Sequence, residues 1–328
     1  MSSEVDQLTD DLNQGLSSED AELSLQDDTE QLASSISGTL TLSSAATSNS
    51  VLSNSRENNL RILEEDFDSM GLDEPFNLRF DVIAANIVRE GPSKFVVYSI
   101  CLFESARERP QNITIERRYS QIERLNQSLR KRFPHVMTHI AFPEKHFIGN
   151  FRNQVIASRS RAFEQFLTHV SSIDNLRQSD EFNRFFYGSD LRKACKLMKI
   201  EHYKEAIPLL QSVAVLQRKL IGGTSFLFQT TLSAIVACCS EAEENDLGAH
   251  YARLALKSIN NNCNCPLLPP LLETTIRIYW KSGEEKRELE EELKSLQDRG
   301  VTSKIRKLHE ISLEHLICQL EEKVANVV

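Results

Sequence analysis

Hydrophobic and polar positions follow a strand-like pattern only in one part of the chain. Leu78–Val88 and Lys94–Phe103 are rich in β-branched and aromatic residues, and REGPS at 89–93 between them is typical of a hairpin turn. A third run, Asn112–Tyr119, follows a polar loop. Three consecutive strands predict one small antiparallel sheet.

The pattern then becomes helical. Ser120 and Glu123 form an S-x-x-E capping box, and apolar residues recur at helical spacing until Pro134, which predicts a helix that begins near Ser120. After the loop 139–151, helices are expected at about 152–170 and 179–186. Strands followed by helices predict an α+β unit rather than an alternating α/β fold.

Residues 190–328 are helical in pattern almost throughout. The segment 201–216 is echoed at 245–259 and, more weakly, at 281–296. Such helix-turn-helix units are similar to tetratricopeptide repeats, although their spacing is longer. An all-α, tetratricopeptide-like domain is therefore expected, with Pro208 either kinking a helix or lying near its start.

Residues 1–72 have a different composition. They are rich in Ser, Asp, Glu, Gln and Thr, and no aromatic residue precedes Phe67. Such a segment buries too little apolar surface to offset its ordering entropy, so we expect a disordered acidic, Ser-rich tail. Residues 1–75 carry 17 Asp and Glu against 2 Arg, whereas residues 76–190 carry 17 Lys and Arg against 12 Asp and Glu. The basic middle segment suits phosphates or an anionic membrane surface.

Motifs of common catalytic and metal sites are missing from the sequence. It contains no G-x-x-x-x-G-K, H-E-x-x-H or G-x-S-x-G pattern, and Cys263 and Cys265 form a lone C-x-C. We therefore predict no enzyme activity, no metal and no cofactor. Without an apolar N-terminal segment or a run of about 20 apolar residues, a cytoplasmic protein is expected.

Two arginines and a tyrosine stand at the predicted strand-helix junction. The positive end of the helix dipole adds to the guanidiniums of Arg117 and Arg118, an arrangement that suits a phosphate, and Tyr119 offers a ring face. Pairing of the arginines with Glu116 or Glu123 is an equally good interpretation.

The next helix and the loop before it contain further cations. Arg159 lies beside an apolar stripe and needs a partner, either an internal carboxylate or an external anion. Lys145 precedes Phe147, Ile148 and Phe151, which either insert into a lipid interface or pack under the loop.

Together, RRYSQIERL at 117–125, FPEK at 142–145 and RSRAFEQFL at 159–167 resemble a phox-homology (PX) domain over residues 75–189. The resemblance implies that the domain binds phosphatidylinositol 3-phosphate. It assigns Arg118 to the 3-phosphate, Tyr119 to the inositol ring, Lys145 to the 1-phosphate and Arg159 to the 4- and 5-hydroxyls. In this reading Phe147, Ile148 and Phe151 form the membrane-insertion loop.

Residues 190–328 resemble the PX-associated B (PXB) domain of sorting nexins. The resemblance implies a peripheral adaptor on early endosomes, active in protein sorting, whose helical domain recruits a protein cargo or regulator. No nucleic acid is expected as a partner. The alternative is a protein-only scaffold that uses the basic PX groove and the helical repeats to bind acidic or other protein partners.

Overall fold

The computed structural model describes residues 59–63, 78–104, 113–145, 149–259, 265–300 and 306–321. The predicted disordered tail, 1–72, lies outside these residues except for 59–63. Those five residues are helical, and Ile62 and Leu63 are buried, so the predicted tail is interrupted by a packed segment. Its apolar residues give that segment a face to bury.

Three antiparallel strands form one sheet in the order β1-β2-β3, as predicted. They are β1 (Leu78–Glu90), β2 (Ser93–Glu104) and β3 (Ile113–Arg118). Gly91 has a φ of +60° in the predicted hairpin turn, a conformation that glycine adopts without strain. The register places Val97 of β2 opposite Arg118, so β2 fixes the position at which β3 ends.

Eleven helices are described after the sheet. The bounds of the first five are α1 (Tyr119–Arg132), α2 (Pro134–Met137), α3 (Asn153–Ser172), α4 (Asp174–Arg177) and α5 (Asp180–Lys199). The others are α6 (Tyr203–Ile221), α7 (Phe226–Glu241), α8 (Asn245–Ile259), α9 (Leu268–Ser282), α10 (Arg287–Asp298) and α11 (Leu308–Glu321). None of these described helices is long and apolar enough to cross a bilayer.

Aromatic side chains cover one face of the sheet. Tyr98 of β2 meets the edge of the Phe163 ring with the centroids 5.0 Å apart. Phe80 of β1 stacks on Phe186 of α5 at 5.6 Å. All four side chains are almost fully buried, so the sheet is held mainly by apolar contact with α3 and α5.

The helices after the sheet confirm the predicted helical C-terminal region. From α5 to α10, each helix packs against the next one in the chain. Helix α11 packs against α5 and α7. Pro208 lies inside α6, a few residues from its start. The predicted helix at 179–186 is too short, because α5 continues to Lys199 and passes through the predicted domain boundary at 189/190.

Backbone contacts divide the chain into two compact units. Among the described residues, the smaller unit comprises residues 143–145 and 149–159. The larger unit contains the sheet, α1, α2, the part of α3 from Ser160 onward and all later helices. Arg118 and Tyr119 therefore belong to the larger unit, and Lys145, Phe151 and Arg159 belong to the smaller one.

Candidate functional site

The predicted junction between strand and helix lies at Arg118, where β3 ends, and α1 begins at Tyr119. The main-chain N–H of Arg118 donates to Oε1 of Gln121 at 2.8 Å, which caps the helix. The predicted capping box, with Ser120 as the N-cap residue and Glu123 three residues later, is wrong. The N-cap residue is Arg118, two positions earlier. The amide of Gln121 replaces the glutamate of the usual motif, so no carboxylate lies in the first turn.

Arg117 is a buried structural residue. Its Nε and Nη2 donate to the main-chain oxygen of Phe185 at 2.9 and 2.7 Å, and Nη2 also donates to the oxygen of Phe186 at 2.5 Å. Nη1 donates to the oxygen of Glu116 at 2.7 Å. Burial lowers the pKa of Arg117, and the charge of Asp190 partly opposes that shift. The guanidinium thus fastens β3 to α5 and has little capacity left for a ligand.

Arg118 lies on the exposed side of the strand. Its Nη2 is 2.7 Å from Oε2 of Glu90, and its guanidinium carbon lies 3.3 Å from the centroid of the Phe95 ring. Both charged side chains are largely accessible, at 44% for Arg118 and 71% for Glu90. An ion pair this exposed contributes little stability, so an incoming phosphate can displace Glu90 at small cost. The sequence left open a pairing of this arginine with Glu116 or Glu123. In the structure Arg118 pairs instead with Glu90 of β1.

Tyr119 is half-buried in an aromatic cluster. Its ring centroid lies 6.0 Å from that of Phe142 and 5.9 Å from that of Phe163. Phe142 in turn meets Phe166 at 5.1 Å. These contacts fix the orientation of the tyrosine ring and leave part of it accessible to a ligand.

In the smaller unit, Lys145 is exposed and Phe151 is half-buried. Phe147 and Ile148 lie outside the described residues. Gly149 has a φ of +76°, and a Cβ at this position would lie 3.2 Å from Nε of Arg152. A larger residue would therefore strain the backbone and push Arg152 away.

Arg159 is nearly buried, with 5% of its surface exposed. Its Nη2 donates to Oδ1 of Asn150 at 2.9 Å, a contact within the smaller unit. Asn150 is not among the residues predicted for the site, because an amide in a loop carries no signal of its own. The amide oxygen of Asn150 is uncharged, so this hydrogen bond positions the guanidinium without adding an opposing charge.

No group of three or more His, Cys, Asp and Glu residues that could hold a metal ion occurs within the described ranges. Cys265 of the predicted C-x-C pattern is buried, and Cys263 lies outside those ranges.

The family model described as PX domain matches residues 105–189. The chain contains a PX domain. Strand β3 with Arg118, helix α1 with Tyr119, and Lys145 and Arg159 all fall within the matched PX segment. PX domains in general bind phosphoinositides.

The chain is also similar to sorting nexins. It is 36% identical to mouse sorting nexin-21 over 232 residues, which are 70% of this chain and 63% of the relative. It is 29% identical to sorting nexin-20 of Bos taurus over 244 residues, 74% of this chain and 75% of the relative. The chain thus spans less than two thirds of the length of mouse sorting nexin-21.

Among solved structures, the mouse SNX19 PX domain with bound sulphate ion matches 34% of this chain and 97% of its own length, with a TM-score of 0.29 and 17% identity.

Sorting nexins are typically non-enzymatic adaptors for membrane trafficking, and they act as peripheral proteins on endosomes.

Proposed function

We propose that this protein is a peripheral membrane adaptor that binds phosphatidylinositol 3-phosphate on early endosomes. Its PX domain, residues 75–189, recognises the lipid headgroup. Its helical region, residues 190–328, is a PXB domain that binds a protein cargo or regulator. Both assignments rest on the similarity to sorting nexins together with the geometry of the described residues.

The observation that carries the proposal is the setting of Arg118. Its guanidinium is exposed, Arg118 is the N-cap residue of α1, and the first turn of that helix, where the dipole adds positive potential, contains no acidic residue. The ring of Phe95 lies under the guanidinium of Arg118 and orients its plane. The exposed carboxylate of Glu90 accepts a hydrogen bond from this guanidinium. Exchange of this carboxylate for a phosphate preserves the geometry of the hydrogen bonds and adds charge.

The other site residues are assigned by their resemblance to the PX motif. Tyr119 packs against the inositol ring, Lys145 binds the 1-phosphate and Arg159 binds the 4- and 5-hydroxyls. Phe147, Ile148 and Phe151 insert shallowly into the lipid interface. The fixed ring of Tyr119 and the Asn150 contact of Arg159 support these roles, because each reduces the ordering cost of binding.

Flotation with liposomes tests the headgroup assignment. Arg118→Ala is expected to abolish flotation with liposomes that contain phosphatidylinositol 3-phosphate while the circular dichroism spectrum stays unchanged. Lys196→Ala, which removes an exposed cation of α5 far along the chain from the motif, is the matched control. Unchanged flotation of folded Arg118→Ala would contradict the proposal. A panel of all phosphoinositides then measures the preference for the 3-phosphate.

A protein-only scaffold is the second candidate, and one contact favours it. Arg118 already donates to a carboxylate, that of Glu90, so a carboxylate of an acidic peptide could take the same place. This candidate predicts salt-sensitive binding of acidic peptides at Arg118 and equal behaviour toward all phosphoinositides.

A further inference from the structure

A second basic surface lies between helices α1 and α5, entirely within the larger unit. We call it the α1/α5 groove, and its volume is about 240 Å³. Its lining includes four arginines, two from β3 and α1 and two from α5: Arg117, Arg124, Arg184 and Arg192. Arg118 does not line this groove, which is therefore distinct from the candidate headgroup site.

Among the described residues, one carboxylate lines the same groove, and it is already engaged. Both oxygens of Glu181 accept from Nη1 of Arg132, which does not line the groove, at 3.0 and 2.8 Å. The other polar side chains of the lining are uncharged: Gln121, Ser128 and Ser189. The groove therefore has an excess of positive charge that its own acidic residue does not balance.

Two of the four guanidiniums are held by main-chain oxygens. Arg117 donates to the oxygen of Phe185 on α5, and Arg184 donates to the oxygen of Gln319 on α11. These bonds fix both guanidiniums in the wall of the groove. The carbonyl oxygens carry no net charge, so the positive charges are held in place without being neutralised.

The other two guanidiniums are exposed and less engaged. Arg124 donates through Nε to the main-chain oxygen of Ser120 at 3.3 Å. Neither Arg124 nor Arg192 forms an ion pair with a carboxylate in the part of the chain that the structure describes. Their planar forks can therefore turn toward a ligand at small cost, from two different helices.

Gly188 gives Arg192 its place beside Arg184. These three residues follow one another at four-residue spacing on one face of α5. A Cβ at position 188 would lie 3.3 Å from Cβ of Arg184 and 3.4 Å from Nη2 of Arg192. The missing side chain thus leaves the space in which the guanidinium of Arg192 lies. Positive charges that line one cavity repel each other, and a bound anion offsets that repulsion.

We propose that the α1/α5 groove binds a phosphorylated serine or threonine of a partner protein. Such a phosphate carries a charge of about −2 near neutral pH and three oxygens that accept hydrogen bonds. The groove offers the matching donors, because the forks of Arg124 and Arg192 enter from two helices and the hydroxyls of Ser128 and Ser189 line it. A carboxylate has about half the charge and two oxygens in one plane, so it satisfies fewer of these donors.

A membrane is the other source of phosphate groups, and the lining of the groove does not favour it. A surface that inserts into a lipid interface presents exposed apolar side chains. The large apolar residues that are well exposed in the described ranges lie elsewhere: Ile83, Ile87, Val88, Ile200 and Trp280. The small volume of the groove accepts a single phosphorylated side chain rather than a folded partner.

Chemical modification of the full-length wild-type protein tests the site without any substitution. Phenylglyoxal reacts with accessible guanidiniums, and mass spectrometry of the digested protein measures the reaction at each arginine. Inorganic phosphate is the probe, compared with chloride at equal ionic strength. It is expected to slow the reaction of Arg124 and Arg192 at least about fivefold, because a bound phosphate occupies their forks.

Arg299 is the matched control for this measurement. It is exposed, and its Nε likewise donates to the main-chain oxygen four residues earlier, that of Ser295, at 3.1 Å. Its reaction should be the same in phosphate and in chloride. The proposal is overturned if phosphate protects Arg299 as strongly as the groove arginines, or if it protects neither Arg124 nor Arg192.

Peptide binding to the full-length protein tests the ligand class. The probes are three labelled peptides of the form Gly-Gly-X-Gly-Gly, in which X is phosphoserine, serine or glutamate, followed by fluorescence anisotropy at low salt. The phosphoserine peptide is expected to bind at least about tenfold more tightly than the other two. Arg124→Gln with Arg192→Gln should remove this preference. Lys294→Gln with Arg299→Gln, an equal charge change on exposed residues outside the groove, should preserve it.

Equal binding of the phosphoserine and glutamate peptides would show that the groove accepts any anion, and the assignment to phosphate would be wrong. The proposal also fails if the groove variant binds the phosphoserine peptide as well as the wild type does, or if the charge control loses the preference. Liposome flotation of the groove variant should be unchanged. Its loss, with peptide binding intact, would place this surface against the membrane instead.

Discussion

The guanidinium of Arg117 on β3 donates two hydrogen bonds to the main-chain oxygen of Phe185 on α5, at 2.9 and 2.7 Å. Arg118, the next residue, faces solvent and meets Glu90. Because side chains alternate along a strand, one arginine serves the fold while its neighbour is available for a ligand.

Replacement of these two arginines should separate stability from binding. Arg117→Leu is expected to lower the free energy of unfolding by about 3 kcal/mol, because the bonds to Phe185 and Phe186 are lost in a buried setting. Arg118→Leu should change it by less than about 0.5 kcal/mol, since its ion pair is exposed. Urea denaturation measures both. Equal losses of stability for the two variants would contradict the distinction.

Removal of the carboxylate that competes at Arg118 should strengthen lipid binding. Glu90→Ala is expected to tighten the affinity for liposomes with phosphatidylinositol 3-phosphate about threefold, since the headgroup no longer displaces an exposed ion pair. Glu116→Ala is the matched control, because Glu116 is an exposed acidic residue of β3 that does not pair with Arg118. An equal gain in both variants would mean that net charge, and not release of Arg118, is responsible.

A charge introduced at Asn150 should weaken the same binding through Arg159. In Asn150→Asp a carboxylate replaces the amide oxygen that lies 2.9 Å from Nη2 of Arg159. The added negative charge competes with the ligand for the buried guanidinium, and a roughly tenfold loss of affinity is expected. Asn153→Asp adds the same charge at the exposed start of α3 and serves as the control. Liposome titration measures both, and the idea fails if the control weakens binding equally.

The buried thiols should make the protein less stable in alkaline solution. Burial raises the pKa of Cys195 to about 11 and, with the nearby charge of Glu241, that of Cys238 to about 12. An unfolded thiol has a pKa of about 8.5, so the folded state keeps protons that the unfolded state releases. Their contribution to stability is complete below about pH 8.5 and decreases as the pH rises toward the folded values.

The free energy of unfolding should therefore fall by about 1.4 kcal/mol per pH unit for each of these thiols between about pH 9 and 11. Urea denaturation at several pH values measures this slope. Cys238→Ala should reduce it, and an unchanged slope would contradict the assignment. Exposed Cys318 should react with a thiol reagent in the native protein much faster than Cys238.

The sheet and the junction at Arg118 could be predicted from the sequence because their signals are local. The β-branched and aromatic runs of the strands, the glycine of the hairpin and the helical spacing of apolar residues in α1 are each contained in a short stretch of sequence. The partners Glu90 and Asn150 could not be predicted, since their contacts depend on the register of β1 on β2 and on the path of a loop. Local patterns contain no information on either.

The length of α5 was predicted wrongly for a related reason. Gly188 and Ser189 suggest a helix end, yet Gly188 is buried, with the side chains of Arg184 and Arg192 against it. Leu191 and Ala194 beyond it are also buried. Tertiary packing thus overrides the low helix propensity of glycine at this position.

The continuity of α5 has a mechanical consequence. This helix begins in the segment that matches the PX domain and ends among the later helices, so no flexible hinge divides it. A single residue inserted in α5 would turn everything after it by about 100° and advance it by about 1.5 Å. The orientation of the later helices relative to the sheet is therefore set by the phase of this one helix.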